Sequence, residues 1–186
     1  IRDSSNDAEH NESWPRGRTN HYWFDLNRDW LLAIHPESRG KLNWLHQWYP
    51  NVVVDVHEMG TNSNYFFDPM KSSASVKPLI PKENVDLYPI FAEYYVKYMD
   101  SIGSFYYTKE SFDETYPGYG STYSDLQGGL ALLFEQASSR GHVQETNYGK
   151  MTFGFTIRNQ FLNSIATVEA AVDNKVCLLY TSPSPR

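Results

Sequence analysis

Residues 51–57, NVVVDVH, constrain this chain more than any other stretch. Consecutive β-branched side chains crowd a helix and pack well on a pleated surface, so the run reads as a buried strand entered from the turn residue Asn51. It delivers His57 to the strand's C-terminal end, where open α/β sheets place their sites. A second run, Gly128 to Phe134, repeats the layout: GGLALLF is a buried strand with Glu135 at its end.

Helical periods alternate with these strands. Pro36 stands where a first-turn proline opens a helix, and Leu42, Leu45 and His46 or Trp48 then share a face until Pro50. Residues 82–102 carry Val85, Phe91, Tyr95 and Met99 on one face with Gly103 as a stop, and Pro89 is expected to kink that helix or to mark its start. Residues 148–174 place Phe153, Ile157, Phe161, Ile165, Val168 and Val172 at three- and four-residue spacing, a face expected to pack on the sheet. The alternation makes the class α/β. Residues 58–81 read as a long loop, 105–108 as a short strand, and 115–121 as a Gly-rich loop bearing tyrosines.

The ends differ from the middle. Residues 1–20 are polar and irregular, and Ile1 in place of Met leads us to expect the true N-terminus upstream. The last twelve residues, KVCLLYTSPSPR, read as translated adaptor or vector sequence, the alternative being a Ser/Pro linker cut short. Residues 1–174 are therefore assigned to the domain and 175–186 to a non-native or linker-like tail that gives Cys177 no function.

A net charge of −6, with no run of Lys and Arg, argues against a nucleic-acid partner. No apolar run approaches the roughly 18 residues that cross a bilayer, so no membrane partner is expected either. The lone Cys177 forms no internal disulfide and leaves the compartment open.

Three polar groups carry chemistry. His57 can supply neutral imidazole to a zinc ion, although a lone histidine at a strand end also serves as a packing residue. The segment from His57 to Thr61 is not the helical two-histidine zinc motif, because Thr61 stands where the second histidine belongs and Gly60 suits a helix poorly. Glu135 beside an apolar strand would be desolvated toward the range useful to a general base. Asn27 and Arg28, within FDLNRDW, offer a fork of donors to a carboxylate, the alternative being a surface ion pair with Asp25 or Asp29.

FDLNRDW, VVVDVHEMG, YPGYGSTY and LALLFEQ, in that order, resemble the zinc metallocarboxypeptidase family, the peptidases that share the pancreatic carboxypeptidase A fold. The resemblance spans residues 14–172. It implies a mixed, mostly parallel central sheet flanked by helices, one zinc ion, and hydrolysis of the last peptide bond of a peptide or protein. It places the substrate-carboxylate clamp on Asn27 and Arg28, a zinc ligand on His57, the catalytic glutamate on Glu135 and the mobile-loop tyrosine on Tyr116, with Tyr119 as rival. A secreted or periplasmic location fits that family.

Two departures qualify what the resemblance implies. The family's His-x-x-Glu motif, source of the other two zinc ligands, is absent: His10 is followed at the third place by Ser13, and His21 by Phe24. That motif and the sheet's first strands are expected upstream of residue 1, and the chain alone is expected to be inactive. The family's carbonyl-polarising arginine falls near Arg16 or Arg18 without firm spacing. Thr122 stands where relatives preferring basic side chains carry an acid, and Asp125 lies close by. Two rival functions remain: an amidase acting on peptidoglycan peptides or acyl-amino acids, and a non-catalytic aromatic binding module using Trp14, Trp23, Tyr65 and Tyr119.

Overall fold

The computed structural model describes residues 18–71 and 79–181. His10, Trp14 and Arg16 lie outside them. Among the described residues a four-stranded mixed sheet forms the centre, built from β1 (Val52–Met59), β2 (Tyr65–Phe67), β3 (Tyr106–Tyr107) and β4 (Leu130–Ala137) in the spatial order β1-β4-β2-β3. The β1–β4 and β2–β3 pairs are parallel and β2–β4 is antiparallel, so the expected α/β class with a mixed, mostly parallel sheet is present.

Helices cover both faces. On one, α2 (Lys82–Ser101) and α4 (Phe153–Asp173) bury Leu130, Leu132 and Phe134 of β4 together with Tyr65 and Phe67. Each such side chain contributes about 1.5–3 kcal/mol by leaving water. On the other, α1 (Pro36–Trp48) and α3 (Gly120–Leu126) enclose Leu42, Leu45 and Tyr123, with Val53 and Trp30 packed against them. Because successive strand residues alternate faces, Val52 and Val54 point to the first layer, while Val53, Asp55 and His57 share the second.

Helix α1 begins at Pro36 as expected. Tyr49 ends it in the left-handed conformation, φ 44°, its N–H donating to the Leu45 carbonyl at 3.0 Å, and Pro50, which follows the cap, cannot continue the helix. Pro89 lies inside α2 and does not start it.

Four local expectations change. The loop between β1 and α2 contains β2, whose three aromatic residues are too few to show a period. Gly120 and Ser121, read as the end of the Gly-rich loop, instead open α3, which runs to Leu126. Residues 143–152 form a hairpin, β5 (Val143–Thr146) and β6 (Gly149–Thr152), so α4 starts at Phe153, where the Thr152 hydroxyl caps the Phe155 N–H. Both central strands also overrun their polar residues: β1 continues to Met59 and β4 to Ala137, which places His57 and Glu135 inside the ladder.

The largest difference concerns α4. Phe153, Ile157, Phe161, Ile165, Val168 and Val172 face outward, Phe161 being 62% exposed, while Thr156, Asn159, Asn163, Ala166, Thr167 and Ala170 are buried. The inner face is small and polar because its partners are polar too. Asn159 Nδ2 donates to Gln136 Oε1 at 3.0 Å, Asn163 Nδ2 to Met99 Sδ at 3.1 Å, and the Thr167 and Tyr95 hydroxyls lie 3.1 Å apart. Ala166 and Ala170 allow close approach to α2. After Asn174 the chain forms α5 (Lys175–Thr181), whose Leu178 is buried against the α2–α4 core and whose Cys177 is exposed.

Beyond β1 the described part of the sheet stops. β1 is an edge strand, and its Val56 is 54% exposed.

Candidate functional site

A cleft of about 240 Å³ opens on the α3 side of the sheet, lined by Arg18, Asn27, Arg28, Asp55, His57, Tyr119, Ser121 and Glu135, with Met70, Phe112, Asp113 and Leu133 completing the wall. It gathers four of the five residues singled out from the sequence.

The floor comes from the sheet. His57 and Glu135 are register partners in the parallel β1–β4 ladder, so their side chains stand side by side on one face. Asp55, two residues before His57 on the same strand, shares that face, and its Oδ1 lies 2.9 Å from His57 Nε2. The hydrogen bond to Asp55 raises the His57 pKa above its ordinary value; burial opposes this, and the charges of Asp55 and Glu135 add to it. Burial pushes the Glu135 carboxyl up, with His57 and Arg18 pulling it down and Asp55 reinforcing the rise.

The rim comes from a 3-10 turn, Leu26–Arg28, capped by Asp25, whose Oδ1 accepts the Asn27 N–H at 2.9 Å. Asp25 Oδ2 accepts Arg18 Nε at 2.8 Å and lies 3.8 Å from Arg28 Nη1, so one carboxylate gathers two guanidinium groups at the cleft. The Arg28 guanidinium stacks 4.5 Å over the Tyr119 ring while Nη1 donates to the Asn27 carbonyl at 2.9 Å. Its side chain keeps 46% exposure, and the loose 3.8 Å contact with Asp25 leaves donors for a ligand.

Asn27 is more committed than the sequence suggests. Its Oδ1 accepts both Trp30 Nε1 and the Gly120 N–H at 3.0 Å, tying the turn to the start of α3. Those bonds fix the amide orientation and leave Nδ2, 3.3 Å from His57 Nε2, as the group facing the cleft. Gly120 must be glycine for this approach: a Cβ there would meet Asp55 Oδ2 at 2.7 Å and the Trp30 ring at 2.9 Å.

Of the two candidate loop tyrosines, Tyr119 lines the cleft. The Tyr116 hydroxyl instead donates to the Arg28 carbonyl at 2.9 Å, and its ring fills the space beside Gly118. Thr122 and Asp125 are both buried. Asp125 faces the core, where Oδ1 accepts Asn84 Nδ2 at 2.6 Å and the Ala131 N–H at 2.9 Å, and Oδ2 lies 2.7 Å from the Tyr88 hydroxyl. The acid that α3 and its preceding loop bring to the cleft is Asp113, already accepting the Thr115 N–H at 3.0 Å. Tyr65 has no exposed surface, whereas Trp23 is more than half exposed.

Sequence reasoning passed over Asp55, Ser121 and Asp113. For Asp55 the signal was available: residues two apart on a strand share a face, so Asp55 had to accompany His57. Arg18, weighed beside Arg16, stands in the cleft.

Among the described residues no three His, Cys, Asp or Glu side chains are arranged to hold a metal ion. His57 offers one imidazole where a catalytic zinc takes three protein ligands, so these residues do not make a complete zinc site by themselves. No family model, curated protein or solved structure matches the chain.

Proposed function

We propose that the chain carries the substrate-binding side and the proton-handling carboxylate of a zinc-dependent carboxypeptidase-type hydrolase, with His57 as one metal ligand and the remaining ligands supplied from outside the described residues. The observation that supports this reading is the convergence of Arg18, Asn27, Arg28, His57 and Glu135, from four separate parts of the chain, on one cleft.

Arg28 binds the terminal carboxylate of a peptide through two parallel N–H bonds, and Asn27 Nδ2 adds a third donor. Arg18 sets a second positive charge beside it. Binding the terminal carboxylate at the rim directs the reaction to the last peptide bond, which lies over the sheet floor. Glu135, with its pKa raised by burial, takes a proton from the attacking water and returns it to the leaving amine.

The test is release of free C-terminal amino acids from a peptide panel by a longer parent polypeptide with zinc, measured beside the chain alone. The parent is expected to turn over and the chain alone is not. Arg28→Ala is expected to raise KM for carboxylate-terminated peptides and to leave amidated ones unaffected. Glu135→Gln is expected to lower kcat by about 10²–10⁴-fold, the range for losing a positioned acid–base group. Tight stoichiometric zinc in the isolated chain, or preference for N-acyl amino acids over peptides, would overturn the reading.

A further inference from the structure

A second cavity, of about 180 Å³, lies on the α4 face of the sheet and shares no lining residue with the cleft. Glu135 and Gln136 follow one another on β4 and so point to opposite faces, Glu135 into the cleft and Gln136 into this cavity. We propose that the cavity is a binding site for a small aromatic carboxylate, a single ring bearing one short acidic arm. The site uses no residue of the cleft and stands apart from the hydrolase reading.

The wall is built from the β1–β2 loop, the turn after α2, the end of β4, and the β5–β6 hairpin with the start of α4. Main-chain donors hold these parts together. The Ala137 N–H donates to the Asn64 carbonyl at 2.9 Å and the Tyr65 N–H to the Phe105 carbonyl at 3.2 Å. The Asn147 N–H donates to Asn62 Oδ1 at 2.8 Å, which ties the turn of the hairpin to the β1–β2 loop. The cavity is thus formed before a ligand arrives, as small-molecule sites usually are.

Its lining changes with depth, and this selects the ligand. Tyr65, Ala137 and Met151 are buried and Phe155 is half-buried, so the inner wall is apolar and aromatic. The two amides at that depth already have partners: Asn159 Nδ2 donates to Gln136 Oε1 at 3.0 Å, Asn159 Oδ1 accepts the Ser104 hydroxyl at 2.8 Å, and Gln136 Nε2 donates to the Ala137 carbonyl at 3.0 Å. A hydrocarbon ring leaves those bonds intact, and the volume suits one ring, since an apolar cavity of about 150 Å³ takes benzene. The outer wall is different. Phe105 and Tyr148 are exposed with ring centroids 6.0 Å apart, a stacking surface at the opening. The side chains of half-buried Thr61, Ser63 and Asn64 have no hydrogen-bond partner among the described residues. Lys150 is the one charged side chain among the described lining residues, and its loose 3.7 Å contact with Glu145 leaves its ammonium available. A rim with a cation and uncommitted donors, in a wall without a carboxylate, matches a ligand whose polar end is a single negative charge.

Titration of the isotope-labelled chain with phenylacetate, followed by NMR, tests this. Ring protons of the probe are expected to give intermolecular NOEs to the Ala137 and Met151 methyls, and phenylacetate is expected to bind more tightly than phenylacetamide or benzyltrimethylammonium. Lys150→Glu is expected to weaken phenylacetate about fivefold, the upper end for an exposed ion pair, and to leave phenylacetamide unchanged. Phe105→Ala is expected to weaken both by about three- to tenfold, the range for one aromatic pair. Both side chains are about two-thirds exposed, so neither substitution removes a core contact. Arg28→Ala, in the cleft, is expected to leave the NOEs in place. Absence of those NOEs at millimolar probe, their loss in Arg28→Ala, or equal binding of the amide or the ammonium compound overturns the inference.

Discussion

Asp125 shows what a polar residue next to a functional loop does when the core claims it. It is fully buried, and its carboxyl is driven well above the ordinary range by that burial and by the neighbouring Glu114 charge, against which the Ala131 N–H, the Tyr88 hydroxyl and the Asn84 amide act. The folded state thus binds its proton more tightly than the unfolded chain does. The stability this contributes is complete below the unfolded carboxylate pKa of about 3.9 and declines as pH rises through the folded value. Asp125→Asn retains an acceptor for Asn84 and Ala131 and removes the ionisable group. Urea unfolding at pH 5 and pH 8 is expected to show the variant gaining on the parent as pH rises; a constant difference would mean that Asp125 is ionised in the fold. From sequence this residue read as a possible determinant of specificity, because nothing local distinguishes an inward-facing α3 carboxylate from one facing the cleft. Asn27, Arg28, His57 and Glu135 were legible because each sits in a motif whose chemistry is carried by adjacent residues.

Among the elements, α4 separates what periodicity reveals from what it does not. A repeat at three and four residues shows that a helix has two faces, and α4 is the helix it promised. The inward face, however, is set by the neighbours. Met99 and Tyr95 on α2, with Gln136 on β4, offer polar atoms that match Asn159, Asn163 and Thr167, and the alanines fit between the two helices. In the described chain, Phe161→Gln is expected to change stability by no more than about 0.5 kcal/mol, the usual effect at an exposed position. Ala166→Leu, which adds volume at a fully buried point, is expected to cost about 1–3 kcal/mol. Denaturant midpoints of the two variants check this, and the opposite ranking would restore the face read from the sequence. The strands fared differently. NVVVDVH and GGLALLF were legible because β-branched and apolar runs of that length have few other uses, and β3 falls within the short strand expected at 105–108, whereas β2 is held by pairing with strands distant in sequence and carries no local mark.

At the level of the whole molecule, the α/β class followed from the alternation of elements, but the strand order did not. β4 lies between β1 and β2 although it follows both in the chain, and this insertion sets Glu135 beside His57. No single segment encodes such an arrangement. It follows from the pairing of strands brought together by the helices that cover them, and the cleft is a property of that pairing. The terminal position of β1 has a practical consequence. Edge strands in soluble proteins carry lysines, prolines or bulges that discourage stacking, and the centre of β1 instead shows Val56 to solvent. The outward apolar row of α4 adds surface of the same character. In concentrated solution the isolated chain is therefore expected to behave as a poor colloid, with light scattering that climbs steeply with protein concentration. Val56→Lys, which places a charge at the middle of that strand, is expected to raise the concentration at which turbidity appears.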